Sequence, residues 1–139
     1  MKKIILAAFM AACGLQMSAQ QNLFVAQDLE SAIVNKDNTV TFNFKAPDAQ
    51  KVQIAGDFAE KAEGQHIGGM VGAGLIDMTK NSEGIWTYTT KPLDSELYSY
   101  EFMVDGVPTI DPNNVYVYRD FATTSNVFIV GNGKADLYK

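Results

Sequence analysis

The stretch YSYEFMVDGVPTIDP, residues 98–112, holds two aspartates close together: Asp105 before Gly106 and Asp111 before Pro112. Neighbouring carboxylates can work as acid and base across a glycosidic bond, or hold calcium alongside further oxygens. A calcium loop needs more ligands at short alternating spacing. Between the two aspartates, Val107, Pro108, Thr109 and Ile110 offer one side-chain oxygen at most. An acid–base pair needs both groups beside a cleft, with one of them made less acidic by its surroundings. Asp-Gly between alternating apolar residues is instead a strong hairpin signal, and Asp-Pro opens a second turn. The pair is therefore expected to be turn punctuation, with both carboxylates at the surface and solvated.

Other reactive chemistry is sparse. The only histidine, His66, lies in a glycine-rich stretch, the only cysteine is Cys13, and no G-x-S-x-G occurs, so no nucleophile–His–Asp set is visible. Gly69-Met70-Val71-Gly72-Ala73-Gly74 matches neither a dinucleotide fingerprint nor a P-loop. One histidine without cysteines cannot close a zinc site. The expectation is a chain that is not an enzyme, with no catalytic residue, no metal and no cofactor. What remains are side chains suited to stacking on sugar rings. Trp86, the single tryptophan, either packs in a core or stacks on a ligand. Tyr116 and Tyr118 alternate with Val115 and Val117. They form a stacking platform, an interface with another domain, or an ordinary half-exposed strand face.

The elements that position these residues are written in period two. Val40, Phe42 and Phe44 alternate with Thr41 and Asn43, and Val52 and Ile54 repeat the pattern. Trp86 and Tyr88 share a face, as do Tyr98, Tyr100, Phe102 and Val104, and 126–130 is a short apolar run. Such segments are half-buried antiparallel strands, separated by Gly, Pro, Asn and Asp turns. Short strands at this spacing predict an all-β, immunoglobulin-like antiparallel β-sandwich. Residues 27–32 are expected to form one helical turn, and 60–77, with five glycines, to be a long mobile connection between strands.

Residues 1–19 have the layout of a secretory signal peptide: Lys2 and Lys3, an apolar run over 4–12, then small residues up to Ala19. A lipoprotein reading, with lipid on Cys13, stands second and provides the only expected membrane link. Export to the periplasm or the cell exterior follows, or an outer-membrane lipoprotein in the second reading. The division expected is a linker over 20–32, a β-sandwich over 33–131 and a tail or linker over 132–139. With Lys2 and Lys3 removed from the 11 basic residues, 9 face 16 acidic ones, a formal charge near −7. A dispersed acidic surface argues against nucleic acid and anionic membrane as partners.

Several motifs stand in one order: V-x-F-x-F-K-A-P-D-A-x-x-V-x-I-A-G-D-F over 40–58, Met78-Thr79-Lys80, Gly84-x-Trp86, Pro92-Leu93, then Y-x-Y-x-F-x-V-D-G over 98–106 with Asp111-Pro112-Asn113. Together they resemble the early-set immunoglobulin-like domains of carbohydrate-binding module family 48. The version they most resemble stands at the N-terminus of secreted Bacteroidetes esterases of carbohydrate esterase family 1, the feruloyl and acetylxylan type. The resemblance covers about 33–131 and implies an accessory β-sandwich whose partners are a plant or storage polysaccharide and a catalytic esterase domain, which this chain does not contain. A genuine carbohydrate-binding module is the first alternative, and the N-terminal part of a feruloyl or acetylxylan esterase whose hydrolase domain is missing from this chain is the second. Starch- and glycogen-binding members hold sugar through positions that here are approximately Lys61, Glu101, Pro108 and Asn126, and only Asn126 keeps the family's residue. The resemblance thus adds Asn126 to Trp86, Tyr116 and Tyr118 as carbohydrate-binding candidates.

Overall fold

The computed structural model describes residues 29–59, 61–67 and 70–138. The signal peptide, Cys13 and most of the expected linker lie outside the described residues.

The alternating segments pair into two antiparallel sheets packed face to face. One sheet has the order β1–β2–β8–β7: Ile33–Val34, Val40–Lys45, Ile85–Thr89 and Thr79–Lys80. The other has the order β11–β12–β9–β3–β6: Val117–Arg119, Thr124–Ile129, Leu97–Val104, Val52–Gly56 and Ile76–Asp77, with β10 (Val107–Thr109) also on β9. The chain is an antiparallel β-sandwich. Val40, Phe42 and Phe44 of β2 point inward because strand side chains alternate, and they meet Val52, Ile54, Tyr100, Phe102 and Phe128 from the opposite sheet. Aromatic rings make much of that contact. Phe42 lies 4.8 Å from Tyr100 and 5.5 Å from Phe128, and Phe44 lies 4.7 Å from Phe102, in tilted or edge geometries that suit the ring quadrupole.

Asp105 and Gly106 form the two-residue hairpin between β9 and β10, with φ of 48° and 83°, and Val107 faces Val104 across it. Positive φ at both positions gives a turn whose twist matches that of the strands it joins.

Two expectations fail. The 60–77 segment is no irregular connection: Lys61–Ile67 (β4) and Met70–Ala73 (β5) pair as an antiparallel hairpin with a register shift between Lys61 and His66, and β6 follows. Residues 29–32 contain no helical turn, and Ala32 sits at φ 53°. Part of the expected tail or linker packs on the sandwich. Lys134–Tyr138 forms a 3₁₀ turn whose Ala135 is fully buried, with its N–H donating to Ser95 Oγ at 3.1 Å. Lys134 Nζ is 2.5 Å from Glu96 Oε2.

Candidate functional site

The two aspartates that open the question of chemistry both serve the fold, in different ways. Asp105 Oδ1 accepts from the Gln50 and Lys51 amides at 3.0 and 2.7 Å, and its own N–H donates to Lys51 O. It thereby ties the β9–β10 turn to the loop that crosses between the sheets. Asp111 departs from the expected solvated turn, for it is 1% exposed. Its Oδ2 accepts from the Tyr100 hydroxyl at 2.7 Å, and its Oδ1 accepts from the Asn113 N–H at 2.9 Å. Burial, then the carboxylate of Asp111, push the Tyr100 hydroxyl well above the ordinary phenol range.

Asn126, the candidate added by the resemblance, belongs to the same cluster and is fully buried. Its Oδ1 accepts from Asp111 N at 2.6 Å, and its Nδ2 donates to the carbonyl oxygens of Asp111 and Asn114 at 3.3 and 2.9 Å. Asn114, which sequence reasoning passed over, closes the network. Its Nδ2 donates to Tyr100 Oη and Val127 O, and its Oδ1 accepts from Tyr116 N at 2.9 Å. The cluster sets the 110–116 loop on β9 and β12 and so fixes where the chain enters β11. The signal available was the density of Asn and Asp over 111–114, read only as turn chemistry.

Trp86 is 7% exposed and belongs to the core. Its Nε1–H donates to Ala46 O at 2.9 Å, and Lys80 Nζ stands 5.3 Å from its ring centroid. The tryptophan therefore presents no open ring face to a sugar. Its indole N–H found a backbone acceptor, and that let the side chain be buried. Glu101 is half-buried, and burial lifts its carboxyl above the usual carboxylate range. Lys61 lies at the start of β4, and Pro108 lies in β10.

Tyr116 and Tyr118 stand apart from these, 70% and 59% exposed. The register sets Tyr118 against Ser125 and Val127 against Ser99, and Tyr116 O accepts from Val127 N. The two phenols therefore share the outer face of the sheet, opposite the face that holds Tyr100 and Phe128. The structure brings Tyr116 and Tyr118 together and leaves Trp86 and Asn126 inside. Val115, Val117 and Phe121 are also exposed, so this strand and its turn show large apolar side chains on both faces. Beside Val115 and Tyr116 lies a groove of about 690 Å³, also lined by Val34, Leu97, Asn113 and Tyr138. A smaller one, about 370 Å³, lies between Phe58, Ile76, Tyr88 and Leu93. Among the described residues no three His, Cys, Asp or Glu side chains converge as a metal site would require, and no helix is long and apolar enough to cross a membrane.

No family model matches the chain, and no curated protein matches it in sequence. In fold it is similar to the group B Streptococcus pullulanase SAP, solved in complex with maltotetraose. That match has a TM-score of 0.53 and 17% identity, and it covers 77% of this chain and 15% of the pullulanase. It is also similar to an α-amylase candidate from Salmonella typhimurium, with a TM-score of 0.51 and 18% identity over 76% of this chain and 15% of that one. This chain thus spans about 15% of the length of each. At such identities the likeness is one of fold: an antiparallel β-sandwich of a kind that also occurs within carbohydrate-active enzymes.

Proposed function

We propose that this chain is a non-catalytic accessory β-sandwich module of a secreted polysaccharide-degrading esterase, of feruloyl or acetylxylan type. In this reading it positions or stabilises a catalytic domain and touches glycan weakly at most. The observation that carries it is the contrast between the buried and the exposed candidates. Asp105, Asp111 and Asn126 spend their polar atoms on the module's own backbone and on Tyr100, while the side chains left for a partner are apolar and aromatic. Such a surface makes contacts rather than bonds. The groove beside Tyr116 supports the positioning role, because the 3₁₀ turn brings Tyr138 to its rim and a following domain would meet it there. The similar fold of pullulanases is consistent with a place among polysaccharide-acting enzymes. Export would follow from the 1–19 leader, and a secreted product beginning at Gln20 would bear that out.

A second reading, a genuine carbohydrate-binding module, is favoured by the shared outer face of Tyr116 and Tyr118. Titration with malto- and xylo-oligosaccharides, followed by NMR shifts, separates the two. We expect no saturation in the sub-millimolar range. Saturation there that disappears in Tyr116→Ala and Tyr118→Ala would replace the first reading by the second. Turnover of a feruloyl or acetyl ester by the purified chain above buffer would overturn both.

A further inference from the structure

Strand β11 ends its sheet, and its pairing leaves half of its backbone unused. Val127 N donates to Tyr116 O and Asp120 N donates to Thr123 O, both in the register that sets Tyr118 against Ser125. In an antiparallel ladder, hydrogen-bonded pairs alternate with pairs whose backbone groups point away from the neighbour. The N–H and C=O groups of Val117 and Arg119, and by the same alternation those of Val115, therefore face outward along the free edge.

Open edges are ordinarily blunted by short strands, charge or proline. The edge strands β1, β6, β7 and β10 of the two main sheets follow that rule. Strands β1, β6 and β7 are two residues long, Lys80 lies in β7, Asp77 of β6 is bridged to Lys51 at 3.1 Å, and β10 contains Pro108. Strand β11 is itself short and ends in Arg119, but residues 115–118 on its approach carry neither charge nor proline and alternate Val and Tyr, exposed on both faces.

We propose that the free edge of β11 pairs antiparallel with β11 of a second copy of this chain, joining two sandwiches through one continuous sheet. Facing Val117 to Val117 of the second copy uses every outward backbone group, with Val115 opposite Arg119 on either side. The same register puts Tyr116 opposite Tyr118, an aromatic cross-strand pair. It opposes no like charges, since this acidic chain of formal charge −5 has no carboxylate over 115–119. Tyr116, Tyr118 and Phe121, 70%, 59% and 103% exposed, together offer about 450 Å² at ~200 Å² per aromatic side chain. A stable complex takes about 800 Å² per partner, so this pair is weak and dissociates on dilution. The proposal stands apart from the function proposed above.

Sedimentation velocity of the purified chain across a dilution series reads the assembly directly. The expected result is a reversible monomer–dimer equilibrium. Val117→Pro removes one outward N–H without touching the ladder to β12, and edge strands tolerate proline there. It should leave only monomer, with Trp86 fluorescence unchanged as the check on folding. Val117→Lys and Val117→Glu should each be monomeric alone and dimeric when mixed in equal amounts, because like charges would otherwise meet at the twofold axis. A wild-type chain that is monomeric throughout would overturn the proposal. So would a dimer that survives Val117→Pro, a Lys and Glu mixture that stays monomeric, or open-ended aggregation.

Discussion

Tyr100 is the side chain through which the aromatic core and the polar loop at 110–116 meet. Its ring contacts Phe42, Phe102 and Phe128, while its hydroxyl donates to Asp111 and accepts from Asn114. Tyr100→Phe keeps the ring and removes the side-chain hydroxyl that donates to the Asp111 carboxylate. A buried carboxylate left short of a hydrogen bond costs about 1–3 kcal/mol, and urea unfolding followed by Trp86 fluorescence should show a midpoint lowered accordingly with an unchanged slope. An unchanged midpoint would mean that water replaces the hydroxyl and that the network is incidental. The aspartate's role was not legible from its spacing to Asp105. Burial of Asp111 depends on a hydroxyl donated from a strand and on the Asn126 side-chain oxygen, 15 residues onward, that accepts from its N–H, and such convergence is a property of the sheet, not of the local sequence. Trp86 could be read only as one of two things, since the same alternation that places it on a strand face does not say which face is covered.

Strands and turns were the most legible level, because alternation and turn chemistry are local. Val40, Phe42 and Phe44 did point inward, and Asp105-Gly106 did form a hairpin. The 61–73 hairpin was missed for the converse reason: its pairing runs through the backbone of a glycine-rich stretch that has no clear side-chain pattern. Two glycines show how turn demands differ. Gly84 has φ +76°, and a Cβ there would lie 2.5 Å from Pro47 Cα, whereas Gly106 at φ +83° has open space around it. Gly106→Ala meets only the strain of left-handed backbone, about 1 kcal/mol. Gly84→Ala adds a collision with the β2–β3 crossover and should be clearly worse; equal losses in thermal unfolding would count against the close approach. At the β11–β12 turn, hydrogen bonds from the Thr123 and then the Ala122 amide hold the Asp120 carboxyl below its ordinary 3.8. A carboxyl lowered in the folded state stabilises the turn above its unfolded value of about 3.9. That contribution is lost as pH falls through the lowered folded value. The amide shifts of Ala122 and Thr123 should therefore titrate together, with a midpoint under 3.8, and a midpoint at or above it would remove Asp120 from the role.

At the scale of the whole molecule, the sandwich is closed by two sheets that share an aromatic interior, and its last described segment is part of that closure. Sequence alone read 132–139 as tail or linker because five residues of 3₁₀ turn have no periodicity to reveal them, and only one of them, Ala135, is buried. The turn nevertheless docks beside the start of β9. Ala135 N–H meets Ser95, Asp136 accepts from the Asn132 and Gly133 amides, and Lys134 bridges to Glu96. The exposed ion pair contributes little by itself. The buried Ala135 and its hydrogen bond carry more, and they hold Tyr138 at the groove rim, so a domain joined beyond this point would leave in a set direction and not on a free tether. Deleting 132–139 should lower stability by about 1–2 kcal/mol while leaving the sheets intact, since no strand ends in that segment. Hydrogen exchange gives the sharper reading. The Ala135 amide of the full chain should exchange more slowly than the Ala122 amide of the exposed β11–β12 turn, and the Val130 amide, which donates to Glu96 O, should lose protection on deletion. If Ala135 exchanges as fast as an open loop, the segment is a flexible linker after all, and a positioning role through this end of the module fails with it.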